Sequence, residues 1–321
     1  MPTRRPSPKR IGAVAVGILL FGVVIGWFAS GWSGDAGETA VDPDDSPPAS
    51  DPSPTVGLDE PIANPVLATD FPDPDVIASA DGYLAFATTS GGRHVQVSHS
   101  SDLLNWSEPE EALPDLPPWM PAERPDLWAP DVVADGDRWV MAFSGREAVT
   151  RRMCIGLATS AKASGPYQPL ADPLVCPTGE GGAIDPAIVI QPDATWLYWK
   201  VDGNCCGQPV RIMVQQFDLE SLSLVGDAVT LLTPELEWEE GVIEAPDPIV
   251  VDGTVHLLYS GGRYAGDSYG VGIARCESIT GPCTRPSAYQ LFESRAGAIG
   301  PGGTSVITTP DARRSPGSST P

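Results

Sequence analysis

Histidine is scarce in this chain of 321 residues. His94, His99 and His256 are the only three, they lie far apart, and no cysteine pair stands near them at zinc-site spacing. No metal-binding cluster can be read from the sequence; no cofactor is expected, and a central structural cation has no sequence support. Basic residues are also few, 19 against 42 acidic ones, for a formal net charge of −23. That balance argues against nucleic acid or an anionic membrane surface as partner. It is compatible with a neutral sugar polymer but does not select for one. Helical periodicity is missing too, since no segment joins a 3.6-residue apolar repeat to end caps.

Long apolar runs are absent with one exception. Residues 11–29 carry no charge, and Arg4, Arg5, Lys9 and Arg10 stand just before them. The length suits a spanning helix better than the shorter core of a secretory signal. Residues 1–10 are therefore expected to be a cytoplasmic basic segment and 11–30 a transmembrane signal anchor or a signal peptide, with the rest outside. Residues 31–60 are rich in Pro, Asp and Ser and form a disordered linker. Residues 61–311 are expected to be the folded domain, and 312–321 a disordered tail. The six cysteines all lie beyond residue 30, where disulfides persist. Cys276 and Cys283 flank a turn-like loop and Cys154 and Cys176 bracket a strand-and-loop segment. Cys205 and Cys206 are adjacent, as a vicinal disulfide or as thiols. The sequence does not fix the connectivity.

The domain is a repeat. The stretch IEAPDPIVVDGTVHLLYSGG from Ile243 has a proline turn, an apolar strand, an Asp-Gly turn and a second strand. The same plan appears from Asp73, Ala129 and Asp185, and an incomplete fifth copy begins at Gly300. Pro74, Pro130, Pro186, Pro246 and Pro301 anchor the copies, at intervals of 56, 56, 60 and 55 residues. A period of this length with aromatic hairpins predicts a propeller blade per copy. Further strand candidates follow each hairpin, so about four strands per unit are expected. The fifth copy runs into the polar stretch ARRSPGSSTP where the others supply an aromatic strand. That blade is expected either to be completed by the segment near Pro65-Val66-Leu67 or to be truncated or frame-shifted. The predicted fold is all-β, a five-bladed β-propeller with an incomplete last blade, preceded by one N-terminal helix.

Each of the first four copies sets a carboxylate beside its proline turn: Asp73, Asp131 and Asp185 next to the proline, and Glu244 one residue removed from it. One Asp-Pro pair needs no chemistry, because Asp caps turns and Pro fixes them. Four acids at one place in four successive repeats would converge on the propeller axis. Like charges confined there cannot all ionise cheaply, so at least one is held protonated. A protonated acid opposite an ionised one is what cleavage of a glycosidic bond requires.

The ordered set FPDPDVI, LWAPDVV, GGAIDPAIV, VIEAPDPIVV and GPGGTSVIT resembles glycoside hydrolase family 43 from about Asn64 to Ser305. The resemblance implies a five-bladed propeller acting on arabinans, xylans and related side chains with inversion of the anomeric centre. It implies Asp73 as general base, Glu244 as general acid and Asp185 as the carboxylate that orients and tunes the acid. The two carboxyls are then expected roughly 6.5–9.5 Å apart, with room for a water. Trp128 and Asp131 match a segment lining the sugar site. Trp238, Lys200 and Arg263 are further candidates for binding substrate. Many members carry a histidine where this chain has Gly303, which puts a central ion in doubt. The expected partner is an arabinose- or xylose-containing polysaccharide or oligosaccharide, with arabinofuranose release favoured and the protein monomeric. Two rivals remain. A fructan-acting propeller would need other residues at Pro72, Ile184 and Ala245; a catalytically impaired carbohydrate-binding propeller would bind without turnover.

Overall fold

The computed structural model describes residues 64–123 and 126–307. The predicted helix at 11–30 lies outside them, as do both predicted disordered segments. Among the described residues no helix is long and apolar enough to cross a membrane.

Sixteen strands form four antiparallel sheets, each ordered as in the chain. Blade 1 holds β1 (Asp75–Ser79), β2 (Gly82–Ala87), β3 (Gln96–Ser100) and β4 (Glu110–Glu111). Blade 2 holds β5 (Leu127–Asp135), β6 (Arg138–Arg146), β7 (Met153–Ser160) and β8 (Gln168–Pro169). Blade 3 holds β9 (Ala183–Ile190), β10 (Thr195–Val201), β11 (Arg211–Asp218) and β12 (Ser223–Leu232). Blade 4 holds β13 (Ile243–Val251), β14 (Thr254–Gly261), β15 (Gly270–Cys276) and β16 (Cys283–Thr284). The expected four strands per unit are present. The hairpin β13–β14 turns through Asp252 and Gly253, both at positive φ, which matches the right-handed twist of the strands.

The second strand of each blade is apolar on both faces because both faces are covered. On β6, Met141 and Phe143 pack toward blade 1 with Leu84 and Phe86, while Val140 and Ala142 pack toward blade 3 with Leu197 and Trp199. Tyr198 of β10 and Leu257 and Tyr259 of β14 fill the next interface. The opposite face of blade 1, with Val76, Tyr83 and Ala85, is covered by Leu67, Phe71, Trp106 and Ile307. Three disulfides join Cys154 to Cys176, Cys205 to Cys206 and Cys276 to Cys283.

The described residues thus form four blades, not the five expected. The fifth copy contributes the segment Gly303–Ile307, which forms no strand of its own, and the segment near Pro65-Val66-Leu67 forms none either. The segment nevertheless joins the inner ring. Ser305 Oγ accepts from Val76 N at 2.9 Å, as Asp75 accepts from Val132 N at 2.8 Å and Asp131 from Ile188 N at 2.9 Å. Val306 N approaches Asp247 in the same sense. Where the ring passes from blade 3 to blade 4 the acceptor is replaced by Ala187 and the donor by Pro248, so neither is left wanting. These contacts align Thr304, not Pro301, with the other four prolines.

Candidate active site

The inner strands β5, β9 and β13 are interrupted at their X-Pro steps, and β1 begins just after its own. The residue before the proline is left-handed in each of the four blades: Asp73 at φ 50°, Ala129 at 44°, Asp185 at 55° and Ala245 at 49°. Gly303, at 60°, holds the same place in the fifth segment. Such a conformation costs a non-glycine residue on the order of 1–3 kcal/mol and persists only where surroundings fix it. Here the fixing group is a hydroxyl from the preceding blade. Thr88 Oγ1 accepts from Ala129 N, Ser144 Oγ from Asp185 N and Ser260 Oγ from Gly303 N, each at 2.9 Å. Blade 3 breaks the rule. Lys200 stands at the hydroxyl's position, and Asp185 Oδ2 takes the Ala245 N–H instead, at 2.9 Å.

The bulge sorts the acids into two tiers around one axial cavity. Asp73 and Asp185 precede their prolines and form the upper tier. Asp75, Asp131 and Asp247 follow theirs and form the lower one. Asp131, expected beside Asp73, Asp185 and Glu244, therefore belongs to the lower ring, where it accepts the Ile188 N–H. Glu244 is two residues before its proline, a place that Trp128 holds in blade 2.

Lower-tier carboxyls are pushed far from their ordinary range by burial first: Asp75 up to about 7, Asp247 up to about 8, and Asp131 well above normal with the charge of Asp75 adding to it. The Thr304 hydroxyl and the Val306 N–H lie against the Asp247 carboxyl and oppose that rise. Protons bound in the folded state and absent from the unfolded one stabilise at low pH. This contribution is complete below about 4 and is lost as pH rises through 7 to 8. Thermal melts of the wild type should therefore fall between pH 5 and pH 8.5. Asp247→Asn should flatten that slope and regain on the order of 2 kcal/mol at pH 8.5, about 5 °C. Parallel slopes for the two proteins would place the pH dependence elsewhere.

In the upper tier, Asp73 opens to the cavity, yet the protein mass around it and the nearby Glu244 and Asp70 raise its carboxyl, against a 2.6 Å hydrogen bond from Thr88 Oγ1. Asp185 is pushed up to about 8 by burial and then by Glu244, with Lys200 opposing. Glu244 is held at both oxygens: Lys200 Nζ donates to Oε2 at 2.7 Å, and the buried Tyr269 hydroxyl donates to Oε1 at 2.8 Å. Tyr269 can approach because Gly302 lies against its ring, where a Cβ would fall 2.0 Å from a ring carbon. Lys200 is fully buried and also pairs with Asp202 at 3.1 Å.

The structure brings together Asp73, Asp185, Glu244 and Lys200. Lys200, however, is locked between two carboxylates rather than free to meet sugar hydroxyls. Trp128 is half-buried with the Arg146 guanidinium 5.6 Å from its ring centre. Trp238 does not face the cavity: it stacks on Tyr259 at 5.9 Å and packs against Gly261 and Gly272 in the blade 3–blade 4 core. Arg263 is also outside, 82% exposed and paired with Glu240 at 3.0 Å. Tyr269 and Asp202 went unread because neither lies in a repeated motif. The lower tier did leave a signal, since Asp75, Asp131 and Asp247 each directly follow a proline.

No group of three or more His, Cys, Asp or Glu among the described residues is arranged to hold a metal ion. Gly303, 3.5 Å from the Asp73 carboxyl as measured from its would-be Cβ, offers no side-chain donor where the resemblance places a histidine. The residues present do not fit an ion tied to that position.

The family model for glycosyl hydrolases family 43 matches residues 62–315. A xylosidase/arabinosidase of Humicola insolens is 25% identical over 266 residues, covering 78% of this chain and 48% of its own length. The chain thus spans about half of that enzyme. A β-D-galactofuranosidase of Aspergillus niger is 28% identical, covering 78% of this chain and 73% of its own. A probable arabinan endo-1,5-α-L-arabinosidase of Aspergillus flavus is 25% identical, covering 76% and 80%. Among solved structures, a thermostable family-43 glycoside hydrolase superposes with a TM-score of 0.70 at 28% identity, over 79% of this chain and 84% of that one.

Proposed function

Because this chain belongs to glycosyl hydrolase family 43, an inverting family of O-glycosidases, we propose that it releases L-arabinofuranose from arabinan or its oligosaccharides, with Asp73 as base and Glu244 as acid. The observation that carries the assignment of roles is the unlike treatment of two carboxyls near enough for the charge of one to act on the other. Asp73 is open to the cavity and receives a hydroxyl hydrogen bond at one oxygen, so it can accept a proton from a water. Glu244 is anchored at both oxygens and coupled to Asp185, which holds a proton up to about pH 8. The pair Asp185 and Glu244 thereby supplies a proton for the departing sugar oxygen while Asp73 activates the water on the other face. Trp128 borders this region and offers the exposed part of its ring to a sugar. The segment Gly303–Ile307 closes the inner ring between blades 4 and 1. The apolar run at 11–29 and the three disulfides favour an enzyme acting outside the cytoplasm.

The preference for arabinose over xylose rests on the motifs IDPAIVI and IEAPDP, while relatives of both kinds are found. The test is incubation with aryl α-L-arabinofuranoside, aryl β-D-xyloside and linear arabinan, with the released sugar followed by proton NMR. Arabinose should appear first as the inverted anomer. Xylose release alone would change the sugar, and a retained anomer would overturn the roles of Asp73 and Glu244. Binding without turnover by folded protein would overturn the enzyme reading.

A further inference from the structure

We infer that Asp202, acting through Lys200, is a positioning residue that sets how closely Lys200 pairs with Glu244 and so fixes the alkaline limit of activity. The inference rests on the roles proposed above. In blades 1, 2 and 4 the second strand presents Thr88, Ser144 and Ser260 to the next blade, each as a backbone-capping hydroxyl. Blade 3 alone of these four carries a cation there, and the acid it faces lies in blade 4. Lys200 is 0% exposed, 2.7 Å from Glu244 Oε2 and 3.1 Å from Asp202 Oδ1. A buried ammonium is retained only with partners on it, and removing one partner redistributes its hydrogen bonds to the other.

The charged surroundings come from every element packed on the pair. Glu244 belongs to β13, Asp185 to β9 and Asp202 to the turn after β10. Asp73 precedes β1, Arg146 of β6 lies near enough to Asp202 to steady its charge, and the Tyr269 hydroxyl caps Glu244 from the fourth blade. Burial opposes the charge on Lys200, but Glu244, Asp185 and Asp202 outweigh it, so the ammonium persists. Asp202 is thus in competition with Glu244 for one cation. Its backbone carbonyl also accepts from Cys205 N, at 3.3 Å, so the Cys205–Cys206 turn helps to hold it in place.

The consequence is a pair of opposite shifts. Asp202→Asn frees Lys200 to pair with Glu244 alone, strengthens the positive field on the Glu244–Asp185 pair and moves the alkaline limb of kcat/KM to lower pH. Lys200→Met removes the cation and moves that limb to higher pH, with kcat reduced because Glu244 loses one anchor. Each shift should be about one pH unit, the size that one nearby charge produces. The acid limb should stay in place in both. The double variant Lys200→Met/Asp202→Asn should fall close to Lys200→Met, displaced from it only by the direct charge of Asp202 on Glu244, and it guards against misfolding from an unpaired Asp202. Limbs that coincide with wild type, or that move the same way in both single variants, would overturn the inference. Glu244→Gln, run alongside, separates the two levels. If it keeps wild-type turnover on arabinan, the proposed acid is wrong; if it loses turnover while the limbs stay fixed, only the role of Asp202 and Lys200 falls.

Discussion

Glu244→Gln should lower kcat/KM on arabinan oligosaccharides by ~10³-fold, within the range a positioned proton donor contributes. On a dinitrophenyl glycoside the loss should be far smaller, because that leaving group departs without a proton. The variant is expected to fold. Glutamine keeps the length of the side chain, its carbonyl oxygen can accept from Lys200 Nζ, and its amide can donate to the Tyr269 oxygen, replacing the two contacts of Glu244. Lys200 retains Asp202 as its counter-charge. What is lost is the proton, not the packing. Steady-state kinetics across a series of aryl leaving groups reads the difference directly, since removal of a general acid steepens the dependence on leaving-group acidity. An equal loss on every substrate would make Glu244 a binding or structural group and leave the proton to Asp185.

The propeller was legible because its hairpins repeat their period-two apolar pattern and because proline marks each inner strand. The turn at Asp252-Gly253, the four strands per unit and the convergence of Asp73, Asp185 and Glu244 all follow from that pattern. The misread places are those where sequence spacing and backbone geometry part company. Pro301 looked like the fifth anchor because it is a proline. The anchor is Thr304, since the left-handed residue captured by Ser260 is Gly303. Asp131 looked equivalent to Asp73 because both touch a proline. They lie on opposite sides of it, and the bulge turns that difference of two residues into a difference of tier. Trp238 looked like a sugar platform because it is an aromatic near the acid, but glycines at 261 and 272 open a slot for it in the core. Lys200 looked like a group that binds substrate. No local pattern reveals that it faces Glu244 from the next blade, 44 residues along the chain.

Asp73→Ala should abolish turnover by ~10⁴-fold on every substrate, activated or not, because the water needs its base whatever the leaving group. Alanine is the right replacement on backbone grounds. Ala129 and Ala245 already occupy the same left-handed position before proline in blades 2 and 4, at φ 44° and 49°, so Asp73 at 50° can become alanine without new strain. The Ala129 N–H keeps its acceptor, since Thr88 Oγ1 serves it independently of the carboxylate it also meets. Circular dichroism and the melting temperature should therefore stay near wild type while activity disappears. Removing the carboxyl also empties space beside the cavity on the side where the attacking water must stand. A small anion such as azide should enter it and attack an activated aryl glycoside in place of the water, yielding a glycosyl azide of inverted configuration. Rescue of that kind in Asp73→Ala but not in Glu244→Gln would separate base from acid by chemistry rather than by size of effect. Full activity in folded Asp73→Ala would remove the base from the mechanism and leave Asp185 as the remaining acid of the upper tier to consider for that role.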